Sequence, residues 1–336
     1  MGDLAAGAGA APGAFTDPSG PVARGRAVGI GELLFDLLPD GPRLGGAPFN
    51  VVAHLRRLGL ETAYVSTVGR DALGARALAE VGRLGVDASC IAMADVPTGV
   101  VRVELDEAGS PTFEIVSPAA YETIEPEQVV AFGPAARHAA SSSDVITHAP
   151  PPAFGVLVFG TLAQRFPGVL AATRALAARR PAVRLYDVNL RSGCWTPELV
   201  RELTGLATIV KLNAAEAEAL ADPLDLPRSG TEQFARALAD RAGLRGVCVT
   251  RGAEGASLLL GGTFVEVPAV PVVVADTIGA GDAFAAGLAA GLVRGWPAGA
   301  ILDLAARLAA LVASRHGAIP DWSPSELGDA VRRPTA

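Results

Sequence analysis

Hydrophobic and polar positions follow two alternating patterns along most of the chain. Short apolar runs of strand length precede segments in which apolar residues recur every three or four positions, as on one face of a helix. The segments run ETAYVSTVG (strand), DALGARALAEVGRLGV (helix), GVLVFGTL (strand), GVLAATRALAARR (helix), AVRLYDVNL (strand), ELVRELTGL (helix), ATIVKLN (strand) and TEQFARALADRAG (helix). Strands that alternate with helices predict an α/β fold with a mostly parallel sheet covered on both faces.

Other regions depart from this order. The first apolar run, RAVGIGELLFDLL, is predicted as one strand, and the helical segment after it ends at Gly59. Between about Val96 and Val116, apolar and polar residues alternate around a DEAGS turn, which predicts an antiparallel hairpin in an additional sheet. Near the carboxyl end, ASLLL and TFVEVP predict a second hairpin, and two long Ala-rich helices follow.

Two segments show neither pattern. Residues 1–25 are rich in Ala, Gly and Pro but lack the basic start and apolar stretch of a secretory signal, so we expect a disordered tail. The stretch FGPAARHAASSSDVITHAPPPAF is expected to be mobile surface. Since no run of about 18 uninterrupted apolar residues occurs, the sequence predicts no membrane span.

Charge and cysteine content narrow the classes of partner. The 336 residues carry a formal net charge of -7, with a pI of about 5.2. Nucleic acids and anionic membranes are recognised through clustered Lys and Arg, so neither is expected as the main partner. Cys90, Cys194 and Cys248 are widely spaced and form no metal-binding motif, which favours a reducing cytoplasm over a disulfide framework.

A candidate chemical motif lies near the carboxyl end, in DTIGAGDAFAAGLAAGL. Gly279, Ala280 and Gly281 precede a predicted helix whose unpaired N-terminal amides can hold an anion. Asp282 follows them, and a carboxylate there can accept the proton of a hydroxyl that attacks a bound phosphate. The alternative is a helix N-terminal acid favoured by the helix dipole, after glycines that serve only a tight turn.

Two common nucleotide-binding motifs are absent from the sequence. The P-loop pattern requires Gly-Lys followed by Ser or Thr, and the sole lysine, Lys211, does not follow a glycine. The dinucleotide pattern G-x-G-x-x-G fails at Leu34 and at Phe284, where its third glycine should stand. A dinucleotide-dependent oxidoreductase is therefore disfavoured.

Five motifs together resemble those of one kinase family. DTIGAGDAF resembles the carboxyl-terminal signature of the ribokinase-like (PfkB) carbohydrate kinases, and LGGAPFNVVAHLRRLG resembles their amino-terminal glycine motif. Between the two, YDVNLRSGCW, KLNAAEAEAL and VTRGAEGA resemble motifs of the family's fructokinase and 2-keto-3-deoxygluconate kinase branch. The resemblance extends from about Arg26 to the last predicted helix.

The resemblance implies a ribokinase-like three-layer α/β/α sandwich with a mostly parallel central sheet and a small β-sheet lid. It implies a single kinase domain over about residues 26–330, with lid segments at about 34–48 and 96–117. The implied reaction transfers the γ-phosphoryl group of ATP to a hydroxyl of a monosaccharide or sugar derivative, of the fructose-like or sugar-acid class. Implied cofactors are ATP and Mg²⁺, with K⁺ as an activator, and the lid is a candidate surface for a homodimer.

The resemblance also implies roles around the acceptor sugar. Asp282 matches the catalytic base, and the three preceding residues match the anion hole for the transferred phosphoryl group. Residues that match substrate-binding positions are Asp36, Gly45, Gly46, Asn50 and Arg191. Taken alone, Asp36 also suits an exposed strand-end acid, Asn50 a helix cap and Arg191 a surface salt bridge.

On the nucleotide side, the matching residues are Asn189, Asn213, Thr250 and Gly252. Asp187, Asn189 and Arg191 also stand at the end of a predicted strand, where doubly wound sheets place ligand groups. Glu216 matches the acid of the family's N-x-x-E motif, which organises Mg²⁺ through water; its alternative is a first-turn helix acid. Asp276 matches a residue that holds a monovalent cation, and Thr277, Gly317 and Ala318 fit the same arrangement.

Departures from the family pattern leave the substrate open. Val116 stands near the position of a lid arginine found in many fructokinases and ketodeoxygluconate kinases, and Arg307 stands where small residues are common beside the adenine. Two alternatives therefore stay open: a nucleoside kinase of the same superfamily, and a sugar-binding regulatory protein that has lost phosphoryl transfer. The presence of Asp282 and Glu216 argues against the second.

Overall fold

A computed structural model describes residues 26–39, 41–105, 111–130 and 154–331. The predicted tail, the DEAGS turn and residues 132–153 of the predicted mobile stretch lie outside the described residues. The strands are β1 (Arg26–Ile30), β2 (Leu34–Leu38), β3 (Gly41–Gly45), β4 (Thr62–Gly69), β5 (Asp87–Ala94), β6 (Gly99–Leu105), β7 (Pro111–Ile115), β8 (Phe154–Phe159), β9 (Val183–Asp187), β10 (Ile209–Asn213), β11 (Gly246–Thr250), β12 (Ala256–Leu260) and β13 (Thr263–Val267). The α-helices are α1 (Ala47–Arg57), α2 (Ala72–Arg83), α3 (Glu127–Val130), α4 (Pro167–Ala177), α5 (Pro197–Leu206), α6 (Ala214–Ala221), α7 (Thr231–Ala242), α8 (Ala280–Val293) and α9 (Ala298–Ala313).

The large sheet has the order β13-β12-β11-β10-β9-β8-β1-β4-β5. From β11 to β5 all neighbours are parallel, and β12 and β13 add an antiparallel hairpin at one edge. The predicted mostly parallel sheet and the predicted hairpin near the carboxyl end are both confirmed.

Helices cover both faces of the large sheet. Successive side chains of β8 point to opposite faces, so that Val156 and Val158 join one apolar cluster while Leu157 and Phe159 join another. Helices α4, α5 and α7 contribute to the second cluster, and α1, α8 and α9 contribute to the first. The predicted three-layer α/β/α arrangement is therefore confirmed.

The Ala-rich and Gly-rich composition of α8 reflects its close packing against α9. A Cβ built on Gly287 would lie 2.6 Å from Cα of Ala305, and one built on Gly291 would lie 2.8 Å from Cγ1 of Ile301. These glycines are four residues apart and share one helix face, which lets the two helix axes approach closely.

A second sheet, the small sheet, has the order β3-β2-β6-β7. Its β2–β3 and β6–β7 pairs are antiparallel, whereas β2 and β6 are parallel. The antiparallel hairpin predicted between about Val96 and Val116 is confirmed as β6 and β7.

Two predictions near the amino end were wrong or incomplete. RAVGIGELLFDLL is not one strand, because Gly31 adopts a φ of 152° and separates β1 in the large sheet from β2 in the small sheet. Strand β5 was not predicted at all. It is an edge strand in which most side chains are only partly buried, so its apolar alternation is weak.

The chain order of the large sheet reverses at β1. From β1 the chain first adds β4 and β5 on one side and later adds β8, β9, β10 and β11 on the other. Ligand sites of such sheets lie outside the carboxyl ends of the strands at this reversal.

Among the described residues, no helix is long and apolar enough to cross a membrane.

Candidate active site

A cavity of about 750 Å³ lies at this reversal, between the carboxyl ends of the large sheet and one face of the small sheet. Its polar lining residues are Glu32, Asp36, Asn50, Thr161, Asn189, Arg191, Ser192, Lys211, Asn213, Glu216, Thr250, Thr277 and Asp282. Gly46, Gly279 and Gly281 also line it. The structure thus brings most of the sequence-predicted site residues to one cavity.

Asp282 lies in the first turn of α8, behind the glycine turn formed by Gly279, Ala280 and Gly281. Its Oδ2 accepts a hydrogen bond of 2.7 Å from Nδ2 of Asn50. Burial, reinforced by the nearby carboxylate of Asp187, raises the pKa of Asp282 from 3.8 to about 6. A carboxylate with this pKa is largely ionised at neutral pH and is a better proton acceptor than an ordinary aspartate.

The glycine turn starts with a residue in the left-handed region, since Gly279 has a φ of 76° and is the N-cap of α8. A Cβ at Gly279 would lie 2.5 Å from Cα of Ala318, so only glycine fits. Gly279 and Gly281 line the cavity, whereas Ala280 lies between them and is not part of its lining. Ala280 donates its amide to the backbone oxygen of Thr277 at 3.3 Å, so the anion-binding donors beside the cavity are the amides of Gly279 and Gly281 at the start of α8.

Lys211 is a cationic residue of this cavity that the sequence analysis did not select. Its Nζ is 3.0 and 3.1 Å from the two carboxylate oxygens of Asp187, and both side chains are buried. A Cβ at Gly281 would lie 3.4 Å from this Nζ, which places the ammonium beside the glycine turn. Burial disfavours the charge, but the carboxylates of Asp187 and Asp282 outweigh it and raise the pKa of Lys211, so the side chain is protonated.

Glu32 is the other ionisable residue of the lining that the sequence analysis missed. Its side chain is buried, Oε1 accepts a 3.2 Å hydrogen bond from the amide of Ala47, and Oε2 has no partner among the described residues. A Cβ at Gly46 would lie 2.2 Å from the backbone oxygen of Glu32, so the glycine loop packs directly on this residue. Burial raises the pKa of Glu32 to about 7.

Asn213 and Glu216 form a capping box at the start of α6. Oδ1 of Asn213 accepts from the amide of Glu216 at 2.9 Å, and Oε2 of Glu216 accepts from the amide of Asn213 at 2.8 Å. Oε1 of Glu216 accepts from the amide of Leu190 at 2.8 Å. Glu216 is thus an acid in the first turn of α6, as the structural alternative predicted. It also lines the cavity.

Both carboxylate oxygens of Glu216 are engaged by backbone amides, so this residue suits contact with a metal-bound water rather than direct coordination. Among the described residues, no group of three or more His, Cys, Asp or Glu side chains could hold a metal ion. Mg²⁺ keeps several waters and is commonly shared with nucleotide phosphates, so this sparse donor set fits it.

The small sheet contributes one face of the cavity. Asp36 projects from it, flanked by four apolar side chains that also line the cavity: Leu34, Leu38, Val101 and Ile115. Burial raises the pKa of Asp36, and the guanidinium of Arg191 opposes this shift. Gly45 lies behind Asp36, since a Cβ there would be 3.3 Å from Oδ2 of Asp36.

Asn50 and Arg191 do not have the plain structural roles considered for them. Gly46 is the N-cap of α1, so Asn50 lies inside the helix and is not its cap. Arg191 is exposed and forms no ion pair among the described residues, although its charge affects Glu32, Asp36 and Asp282.

The remaining predicted residues are those that the resemblance assigned to nucleotide and monovalent-cation binding. Asn189, with a φ of 42°, and Thr250 line the cavity, whereas Gly252 lies in a turn after β11 and does not. Asp276 is also outside the lining. Its Oδ1 accepts from the amide of Ile278 and its Oδ2 from the amide of Gly317, each at 2.9 Å, so it joins the start of the glycine turn to the 316–319 loop.

Comparison with known proteins identifies the family. A family model described as pfkB family carbohydrate kinase matches residues 42–325. The chain belongs to the PfkB family of carbohydrate kinases. The predicted family, and with it a phosphotransferase that uses an alcohol group as acceptor, are therefore confirmed.

Individual relatives agree with this assignment. The kinase is 31% identical over 275 residues to a fructokinase of Klebsiella pneumoniae. The aligned region covers 78% of this chain and 83% of the relative. It is 29% identical over 319 residues to a 2-dehydro-3-deoxygalactonokinase of Haloferax volcanii, covering 91% of this chain and 96% of the relative. Among solved structures, it is similar to aminoimidazole riboside kinase from Salmonella enterica complexed with aminoimidazole riboside and an ATP analog, with a TM-score of 0.73, 26% identity, and coverage of 91% and 99%.

Proposed function

We propose that this sugar kinase transfers the γ-phosphoryl group of ATP to a hydroxyl of a neutral ketose of the fructose class. The observation that carries the proposal is the position of Asp282, beside the amides of the glycine turn and within the same cavity as Asp36. The sugar would lie between Asp36, the glycine loop of Gly45 and Gly46, and Asn50. The nucleotide would lie beyond it, along Asn189, Asn213, Thr250 and Gly252.

In the proposed reaction, the acceptor oxygen attacks the γ-phosphorus and the bond to the β,γ-bridging oxygen breaks, so that ADP leaves with the electron pair. Asp282 takes the proton from the acceptor hydroxyl. The amides of the glycine turn and the ammonium of Lys211 stabilise the charge on the transferred group. Catalysis of this kind depends mainly on positioning and on electrostatic stabilisation.

Asn50 fixes the base in this mechanism. Because its Nδ2 is a donor to Oδ2 of Asp282, it orients the carboxylate and leaves Oδ1 free to receive the proton. The same hydrogen bond favours the ionised form and so limits the rise in the pKa of Asp282 that burial causes. Asn50 thus keeps the base ionised near neutral pH.

We assign the metal-side roles to Glu216 and Asp276. Glu216 would hold Mg²⁺ through a bound water, and the ion would supply charge neutralisation for the nucleotide phosphates. Asp276 would hold K⁺ together with carbonyl oxygens of the adjoining loops. Its carboxylate already joins those loops through Ile278 and Gly317. Replacing KCl by tetramethylammonium chloride at constant ionic strength tests this role, and unchanged activity would refute it.

Charge at the sugar end supports a neutral sugar over a sugar acid. Asp36 and Glu32 supply two carboxyl groups there, and the positive charge of Arg191 acts on both. A carboxylate on the substrate would have to share that one guanidinium with two acidic side chains. Hydroxyl groups, by contrast, can donate to the carboxylates, and the apolar residues of the small sheet can cover the ring carbons.

The experiment is ADP release from ATP and Mg²⁺ with fructose, other ketoses and aldoses, sugar acids and nucleosides. We expect the highest kcat/KM with a neutral ketose. A preference for a sugar acid that disappears in Arg191→Gln would overturn the proposed substrate class. A preference for a nucleoside would instead support the alternative of a nucleoside kinase.

We further propose a single kinase domain over residues 26–330, with a lid formed by residues 34–48 and 96–117 that excludes water when sugar binds. Two copies would pair through this lid, because β7 is an edge strand of the small sheet and can accept a further strand. The mass in solution, measured by light scattering, tests the dimer, and a mass of about 34.0 kDa, that of one chain, would refute it. The use of ATP and the free cysteines support a cytoplasmic location.

A further inference from the structure

Helix α1 makes polar contacts with two parts of the catalytic region: with Asp282, and with the 316–321 segment through His54 and, at the end of the helix, Arg57, which donates to Pro320 and Asp321. Asn50 contacts Asp282, as described above. One helical turn later, His54 lies on the same face, because residues four apart are neighbours on a helix. Its side chain is fully buried. A buried imidazole needs partners for both ring nitrogens.

Both nitrogens of His54 have such partners. Nε1 of Trp322 lies 3.1 Å from Nδ1 of His54, and Nε2 of His54 lies 3.0 Å from the carbonyl oxygen of Ala318. The indole N–H can only donate, so Nδ1 must accept and carries no proton. Nε2 therefore carries the proton and donates it to Ala318. Burial, with the nearby charge of Arg57 as a smaller cause, lowers the pKa of His54 to about 4, in agreement with this neutral tautomer.

Ala318 is the residue against which the glycine turn packs. A Cβ on Gly279 would lie 2.5 Å from its Cα and 2.7 Å from its carbonyl oxygen. The preceding residue, Gly317, donates its amide to Asp276 at 2.9 Å. The position of Ala318 thus fixes the back of the turn that precedes Asp282.

We infer that His54 is a positioning residue of the phosphoryl-transfer site: it holds the Ala318 carbonyl, and with it the 316–319 loop that supports the glycine turn. Trp322 fixes the tautomer that makes this contact. Asn50 and His54, one turn apart on α1, then position the base and the anion-binding turn from a single rigid element. The inference rests on the proposed roles of Asp282 and the glycine turn.

The first test compares His54→Leu with His54→Gln and with Leu55→Ala. His54→Leu removes the donor to Ala318, whereas His54→Gln retains an N–H donor. Leu55→Ala creates a cavity at the neighbouring, fully buried position of α1. We expect His54→Leu to lower kcat about ten-fold, because small displacements of reacting groups have large effects on rate. The KM for sugar should change little. His54→Gln should recover most of kcat, and Leu55→Ala should lose stability without loss of kcat.

A folded His54→Leu variant with native kcat would overturn the inference. So would a loss of kcat in Leu55→Ala equal to that in His54→Leu, because both losses would then reflect general destabilisation.

The second test needs no turnover, so it separates this inference from a failure of the proposed function. Long-range ¹H–¹⁵N NMR should show the Nε2–H tautomer of His54 in the native protein and a mixture of tautomers in Trp322→Phe. Hydrogen exchange at the amides of Ile278 and Gly317 should accelerate in His54→Leu but not in Leu55→Ala. A native Nδ1–H tautomer, or unchanged exchange in His54→Leu, would refute the contact even if the protein proved to be an active kinase.

Discussion

Asn50 and Asp282 are 232 positions apart in the chain, and Nδ2 of Asn50 donates a 2.7 Å hydrogen bond to Oδ2 of Asp282. This contact joins the helix that follows the glycine loop to the helix that follows the glycine turn. The two glycine motifs proposed to bind sugar and phosphate are therefore parts of one cavity. The geometry of the proposed base depends on both.

Removal of the proposed base is the first prediction. Asp282→Asn should lower kcat by a factor of about 100 to 10,000, the usual contribution of a general base, while sugar binding persists. ADP release and calorimetric sugar binding are the measurements. Asp240→Asn is the matched control, since Asp240 is an exposed residue of α7 that does not line the cavity. Should Asp282→Asn keep native kcat, the assignment of the base would be wrong; sugar binding without ADP release by the native protein would favour the regulatory alternative.

The raised pKa of Asp282 predicts a specific pH dependence. The group must be ionised to accept a proton, so kcat should rise with pH through about pH 6 and level off above it. Asn50→Ala removes a hydrogen bond that lowers the pKa of Asp282, so this pKa should rise. The increase in kcat with pH should therefore occur at higher pH than in the native protein. The measurement is log kcat against pH at saturating sugar and ATP. If kcat rises over the same pH range in Asn50→Ala as in the native protein, the assignment of the titration to Asp282 would be wrong.

The sequence suggested roles for those parts of the site whose residues are close together in the chain. DTIGAGDAF contains the glycine turn and Asp282 within nine positions, so helix-start chemistry was enough to suggest their roles. The three-layer fold also follows from local patterns, because each strand and helix has its own periodicity. These predictions needed no knowledge of long-range contacts.

Glu32 and Lys211 could not be selected in the same way. Glu32 lies two residues after β1 and Lys211 lies within β10, and it is the parallel order of the sheet that brings these regions to one edge. Signals were present: Glu32 follows β1 almost directly, and Lys211 is the sole lysine, two positions before Asn213. Their roles, however, depend on contacts that form only in the folded chain: Lys211 with Asp187, and Glu32 with Ala47.

Lys211 should be required for both stability and turnover. Lys211→Met leaves Asp187 as a buried, unpaired carboxylate, and breaking such a pair typically costs about 3–5 kcal/mol. The double variant Lys211→Met, Asp187→Leu removes both charges and should recover much of the stability, measured by urea unfolding. It should not recover kcat, because the ammonium beside the glycine turn is still absent. Recovery of kcat in the double variant would show that Lys211 acts only through folding.

Glu32 should affect sugar binding more than nucleotide binding. Glu32→Ala removes the acceptor for the Ala47 amide at the start of α1, and we expect the KM for sugar to rise about ten-fold, equivalent to about 1.4 kcal/mol. The KM for ATP should change much less, because the residues proposed to bind the nucleotide lie across the cavity from Glu32. Glu32→Gln keeps a carbonyl oxygen for Ala47 and should retain most of the sugar affinity. Steady-state kinetics with each substrate varied in turn is the measurement, and equal increases in both KM values would contradict this role.

Gly279 and Gly295 offer a matched pair for testing the glycine turn. Both have a positive φ, 76° and 69°, but a Cβ on Gly279 would meet Ala318 at 2.5 Å, whereas one on Gly295 would have no atom within 4 Å. Gly295→Ala should therefore cost only the backbone strain, about 1 kcal/mol, and leave kcat unchanged. Gly279→Ala carries the same strain and must also displace the 316–319 loop or the turn itself, so kcat should fall by at least about ten-fold. Unfolding in urea and ADP release should be measured on both variants. Equal kcat values in the two would mean that the packing of Gly279 on Ala318 does not set the geometry of the phosphate-binding turn.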